Sequence, residues 1–189
     1  MNKMTGSGIA RLSYEQLSPR LQSLLKSKVE RLGYLGEFFQ CTGHQPDILA
    51  SFLEMTDHLK SALDDRWTEL GALTVASFMD NHYELFQHER LSRKLGFDAQ
   101  WIAAVEKLDP DGVPEFSGAD RAAQKFALVL LEHKGTDASA ELETLIEAIG
   151  PDQAIAFIFL VGRYMSHAMI VNALKIQPPV KSIFEEDTP

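Results

Sequence analysis

Residues Trp67–Gly96 read WTELGALTVASFMDNHYELFQHERLSRKLG, and the rest of the chain is organised around them. The stretch reads as two helices meeting near Asp80-Asn81. Leu70, Leu73, Thr74, Ala76 and Ser77 give the first helix small and apolar positions that permit close packing. The second runs from about Asn81 to Leu95, with Gly96 as its C-terminal stop. Glu69 lies on the first helix, and Asn81, Glu84 and His88 on the second. Glu84 and His88 are four apart and share a face. An antiparallel return could carry Glu69 towards His88. A carboxylate facing an imidazole fixes its tautomer and raises its pKa, which suits proton transfer. The plainer alternative is an exposed Glu84–His88 pair with a solvated Glu69.

On the C-terminal side, Asp98 caps a short helix carrying Trp101, Ile102, Val105 and Leu108. Asp109-Pro-Asp-Gly-Val-Pro114 is the clearest break, a turn-rich linker between two helical halves expected to share one core. Ser117-x-x-Asp120 resembles a capping box and opens a helix to about Lys134-Gly135. Ser139–Ile149 reads as a shorter helix ended by Gly150. Pro151 starts a long one to about Lys175. That last helix is apolar on nearly every side, which predicts the central or most enclosed position in the fold. Its most apolar run, Ala154–Gly162, is stopped by Arg163 and is too short to span a bilayer.

On the N-terminal side, Pro46 opens a helix whose buried side is Ile48, Leu49, Phe52, Leu53, Met55 and Leu59. Ser18-Pro19 caps an earlier amphipathic helix that fades at Gly33. No segment shows sustained strand alternation, so the fold class is all-α, a multi-helix bundle. The expected organisation is a flexible arm over 1–17 and a single domain over 18–177. That domain has a signature core at 43–108 and a second half at 117–177. A tail covers 178–189.

Composition narrows the function classes. Lys and Arg total 18 against 27 Asp and Glu, a net charge of −9. Nucleic acid and anionic membrane are therefore excluded as general partners, since neither would attract such a surface. Cys41 is the single cysteine and cannot form an internal disulfide, and no apolar signal core precedes Leu17. Together these predict a cytoplasmic protein. Apolar surface at Tyr34–Phe39 predicts a homo-oligomer.

The order Glu69, Asn81, Glu84, His88, with gaps of twelve, three and four, resembles the signature of the carboxymuconolactone decarboxylase and alkylhydroperoxidase-D superfamily. In its peroxidase branch the signature is Glu, Cys-x-x-Cys, His, and Asn81 and Glu84 stand at the cysteine positions. The pattern N-x-Y-E-x-x-x-H over Asn81, Tyr83, Glu84 and His88 is close to a form found in cysteine-free members. The resemblance runs from about Gly43 to Leu174. It implies an alkylhydroperoxidase-D-like bundle assembled as a dimer, trimer or hexamer.

Together these readings give Glu69, Glu84 and His88 as catalytic residues acting on a small-molecule substrate. His88 would be the general acid or base, Glu69 its orienting carboxylate, and Glu84 a second acid or positioning group. Asn81, Tyr83, Tyr164 and His167 are the substrate-binding candidates. Tyr164 and His167 are three apart on the last helix, and their alternative role is a satisfied buried pair. Arg163 beside them could bind a carboxylate. No metal and no cofactor are expected: His82 and His88 are six apart, on different helix faces. The implied activity is decarboxylase-like proton transfer on a small carbonyl or carboxylate compound. One alternative is thiol peroxidase chemistry, which needs two sulfurs and is disfavoured without Cys-x-x-Cys. The other is a non-enzymatic oligomer that binds a ligand.

Overall fold

The helices headed by Pro19, His82, Ala99 and Gly118 begin where a side chain satisfies a free amide at the helix end. In the computed structural model, which describes residues 8–185, the elements in order are α1 (Pro19–Leu32), α2 (Glu37–Thr42), α3 (Pro46–Ala62), α4 (Asp65–Phe78) and α5 (His82–Lys94). They continue with α6 (Ala99–Glu106), α7 (Gly118–Glu132), α8 (Ser139–Ile149) and α9 (Pro151–Leu174). Among the described residues there is no strand, so the all-α class holds. Residues 1–7 of the expected arm and 186–189 of the expected tail lie outside the described residues. Ser18 accepts from the Leu21 amide, and Gly33 closes α1 in the left-handed region at φ 79°. Ser117 and Asp120 form a reciprocal capping box at the head of α7.

The described residues divide into two compact units. The first holds residues through His58 together with Val171–Ile176. Its core is built on Leu17, Leu21, Leu25, Phe38, Cys41, Leu49 and Leu53. Part of the expected arm is tied down here. The Leu12 amide donates to the Gln40 carbonyl at 3.1 Å, and the Arg11 guanidinium donates twice to Glu37 Oε1. A Cβ on Gly43 would sit 2.4 Å from the Leu17 side chain and 2.8 Å from the Phe39 carbonyl, so this close approach requires glycine. Phe38 is buried against Phe39 and Phe52, so much of the aromatic segment lies within this unit's own core.

The second unit holds Leu59–Ile170 and the residues from Gln177 onward. The turn segment 109–114 lies inside it, with Val113 and Phe116 buried. The most enclosed helix is α4, where every residue from Thr68 to Ala76 is buried. It packs against α5, α6 and α7. Small residues make this possible: Gly71 lets Leu160 and Phe157 approach so closely that a Cβ there would lie 2.6 Å from a Leu160 methyl. Gln124 of α7 spans the core, its amide donating to Thr74 Oγ1 and the Val105 carbonyl. The expectation that α9 would be the most enclosed therefore gives way to α4. Helix α9 is long and apolar enough to cross a membrane, yet 56% of its most apolar window is buried inside the fold. One stripe of it is left outside: Ile155, Phe159 and Met169 are each half or more exposed.

Candidate active site

The α4–α5 turn sets the site. Asp80 takes a positive φ of 51°, and the Asn81 amide then donates back to the Ala76 carbonyl at 2.8 Å. Asn81 becomes the N-cap of α5, its side-chain oxygen accepting from the Glu84 amide at 3.4 Å. This reversal lays α5 along α4 and brings Glu69 against His88.

His88 lies between two carboxylates. Its Nδ1 is 2.8 Å from Glu69 Oε2, and its Nε2 is 3.2 Å from Glu84 Oε2. The Tyr164 hydroxyl is 3.1 Å from the same Nε2, with the two rings edge to face. Ser92 Oγ donates to Glu69 Oε2 at 3.0 Å. On the other side, His167 Nε2 is 3.2 Å from Glu84 Oε1, and Arg163 Nη1 is 4.0 Å from Glu84 Oε2. Glu69, His88, Tyr164 and His167 are all buried. Glu84 is the least covered carboxylate of the network, its side chain 13% exposed.

Electrostatics favour an ion network. Burial by itself would push the His88 imidazole down, but the charge and hydrogen bond of Glu69, followed by those of Glu84, raise it to about 9. Burial likewise pushes the Glu84 carboxyl up. The charge of His167, the hydrogen bond and charge of His88, and the charge of Arg163 outweigh this and hold it well below the usual carboxylate range. The Tyr164 hydroxyl is raised, first by burial and then by Glu84 and Glu69, against a lowering by Arg163. At neutral pH His88 is therefore an imidazolium and Tyr164 a neutral phenol. With Nδ1–H fixed on Glu69, Nε2 has two states. Protonated, it donates to Glu84; neutral, it accepts from Tyr164. Both partners are already within reach, so a proton can leave and return at Nε2 without moving the ring.

Of the sequence-derived candidates, Glu69, Glu84, His88, Tyr164 and His167 meet in this one network. Tyr83 is buried beside it, its ring stacked on His167 at a centroid distance of 6.1 Å. Asn81 is adjacent, with its side-chain oxygen used in capping. The exposed His82 stacks on Phe86 instead. Ser92 was missed, although Glu84, His88 and Ser92 recur every four residues and that spacing marks one face. Cys41 lies in the first unit, where burial pushes its thiol up. Among the described residues, no group of three or more His, Cys, Asp or Glu side chains is placed to hold a metal ion.

No protein-family model and no curated protein matches the chain. Solved structures do. An alkylhydroperoxidase AhpD-core, peroxidase-related protein from Ralstonia eutropha JMP134 aligns with a TM-score of 0.74 at 17% identity, covering 88% of this chain and 88% of its own. A peroxidase-related protein from Silicibacter sp. TM1040 gives 0.74 at 20% identity, covering 87% of each chain. The debrominase Bmp8, as a cysteine-to-alanine variant in complex with 2,3,4-tribromopyrrole, gives 0.71 at 14% identity over 94% of this chain and 93% of its own. The chain thus has the AhpD-like fold, and the resemblance carried by Glu69, Asn81, Glu84 and His88 holds at that level.

Proposed function

We propose that this chain is an enzyme that moves protons on a small carbonyl or carboxylate compound, in the manner of the carboxymuconolactone decarboxylase branch. One observation carries the reading: His88 is buried between Glu69 and Glu84, with the Tyr164 hydroxyl on its outer nitrogen. A purely structural role gives no reason to bury two carboxylates, two histidines and an arginine together, since desolvating such groups costs several kcal/mol each. Perturbed groups of this kind cluster where proton transfer is done.

In a decarboxylation the bond to the departing carboxylate breaks and CO2 leaves. Its electron pair passes into the substrate's own conjugated carbonyl. The resulting enolate carbon then takes a proton from His88 Nε2, and the Glu69 carboxylate stabilises the imidazolium before that transfer. Tyr164 turns its O–H onto the neutral Nε2 until solvent returns the proton. Glu84, the most accessible of the two carboxylates, positions the substrate. Tyr83 and His167 shape the same side of the site. A thiol mechanism is disfavoured, because the signature positions carry Asn81 and Glu84 and the single thiol, Cys41, stands apart in sequence and is raised by burial. The single cysteine supports a cytoplasmic setting.

The test is a panel of unsaturated lactone acids and β-keto acids in deuterated water, following CO2 release and deuterium at the product carbon. The expected result is turnover with deuterium incorporation, lost about a hundredfold or more in His88→Gln. Turnover unchanged in folded His88→Gln, or no turnover and no deuterium exchange across the panel, would sink the reading.

A further inference from the structure

The exposed positions of α9 between Gln153 and Ile170 are Ile155, Phe159, Gly162, Ser166 and Met169, separated by four, three, four and three residues. That is the 3.5-residue repeat of a two-helix seam, in which alternate steps of three and four keep one stripe facing a partner. The stripe carries no charge. Its large residues are left in water, with Ile155 55%, Phe159 57% and Met169 50% exposed. We propose that this stripe is the interface for a second copy of the same chain, joined by antiparallel pairing of the two α9 helices about a two-fold axis midway between Gly162 and Ser166.

The order of side chains selects this occupant and this direction. Reversed on itself about that midpoint, the stripe sets Phe159 against Met169 and Gly162 against Ser166. The bulky residues thus flank a centre of small ones, where two backbones can approach. Gly162 leaves that centre open, since a Cβ there would meet nothing within 4 Å. Parallel pairing would instead stack Phe159 on Phe159 and leave Gly162 facing Gly162, a crowded layer beside an empty one. Charge agrees. Asp152 stands in the first turn of α9 and Lys175 follows its last residue, so antiparallel copies bring opposite charges and opposite helix dipoles together. Parallel copies would bring like charges together. A self-complementary patch of this kind is what a two-fold homodimer requires. An anionic lipid surface does not fit a chain of net charge −9. Arg163 follows Gly162 directly, so the seam borders the ion network without using any member of it.

Sedimentation equilibrium on the full chain at micromolar concentration should give an even multiple of the 21.1 kDa chain mass. Phe159→Glu with Met169→Glu should halve that mass while the helical circular dichroism stays unchanged. Direction is read by cross-linking in a Cys41→Ser background. An equimolar mixture of Gly162→Cys and Ser166→Cys chains should oxidise to a mixed disulfide dimer, and neither variant alone should do so. A monomeric wild type overturns the proposal, as does an unchanged mass in the folded glutamate variant. Self-cross-linking of each cysteine variant would mean parallel pairing, and failure of the mixture would mean a different face; either overturns it. Co-sedimentation of wild type, but not the glutamate variant, with neutral phosphatidylcholine vesicles would assign the stripe to lipid and also overturn it.

Discussion

Replacing Glu69 by Gln tests the site with little change of shape. The amide keeps the outline of the carboxylate and can still accept from His88 Nδ1 and from Ser92, which lie 2.8 and 3.0 Å from Glu69 Oε2. Only the charge is lost. In the native protein His88 is raised from 6.5 to about 9, and after the opposing effect of burial the charge of Glu69 is the largest cause. The interval corresponds to roughly 3 kcal/mol of preference for the imidazolium. Without that charge, burial still pulls His88 down, opposed by Glu84 and by the hydrogen bond the amide keeps. The His88 midpoint should therefore fall clearly below its native value of about 9.

The consequence for stability has a defined sign. A group raised on folding stabilises fully below its unfolded value and loses that contribution as pH rises through the folded one. The His88 contribution is thus present below 6.5 and gone above about 9. Glu69→Gln should remove much of it, so wild type and variant should differ more in urea midpoint at pH 6 than at pH 10. The ring protons of His88, assigned by their loss in His88→Gln, report the titration by NMR. A folded Glu69→Gln in which His88 still titrates near 9 would refute the coupling and leave the pair as a packing feature.

Two further outcomes follow from groups outside the network. Cys41→Ser should leave any turnover and any peroxide consumption unchanged, because the buried thiol is pushed up and lies outside the signature positions; Cys41-dependent peroxide consumption in a coupled assay would overturn this. Glu106, at the end of α6, is raised to about 8, first by burial and then by the charge of Glu89, which holds the C-terminal segment through Ser182 Oγ and the Ile183 amide. Its contribution to stability is present below the usual carboxylate range and lost through about 8, so Glu106→Gln should flatten the fall in urea midpoint between pH 5 and pH 9. An equal fall in both proteins would argue against it.

Much of the fold was legible because local rules decide helix ends. Ser18-Pro19, Asn81, Asp98, the Ser117–Asp120 box and Gly150 each satisfy or stop a helix through atoms a few residues away, and all appear at those positions. The Glu84–His88 pair was readable for the same reason, since residues four apart on a helix must be neighbours. Ranking the helices by burial was not. Apolar content suggested α9 as the most enclosed, yet α4 holds that place, because Gly71 and its small neighbours admit helices from several sides while Phe159 and Met169 stay outside.

By itself, then, the sequence determined the all-α class, the limits of the longer helices and the residues able to carry proton chemistry, since each depends on short-range geometry. Only the tertiary structure decided that Glu69 reaches His88 from another helix, that Ser92 and Tyr164 complete its surroundings, and that Arg163 and His167 hold Glu84. Those contacts join positions 19 to 83 residues apart in the chain, and their energies depend on burial. Sequence spacing does not encode distance between helices or access to water, and both arise only when the helices pack.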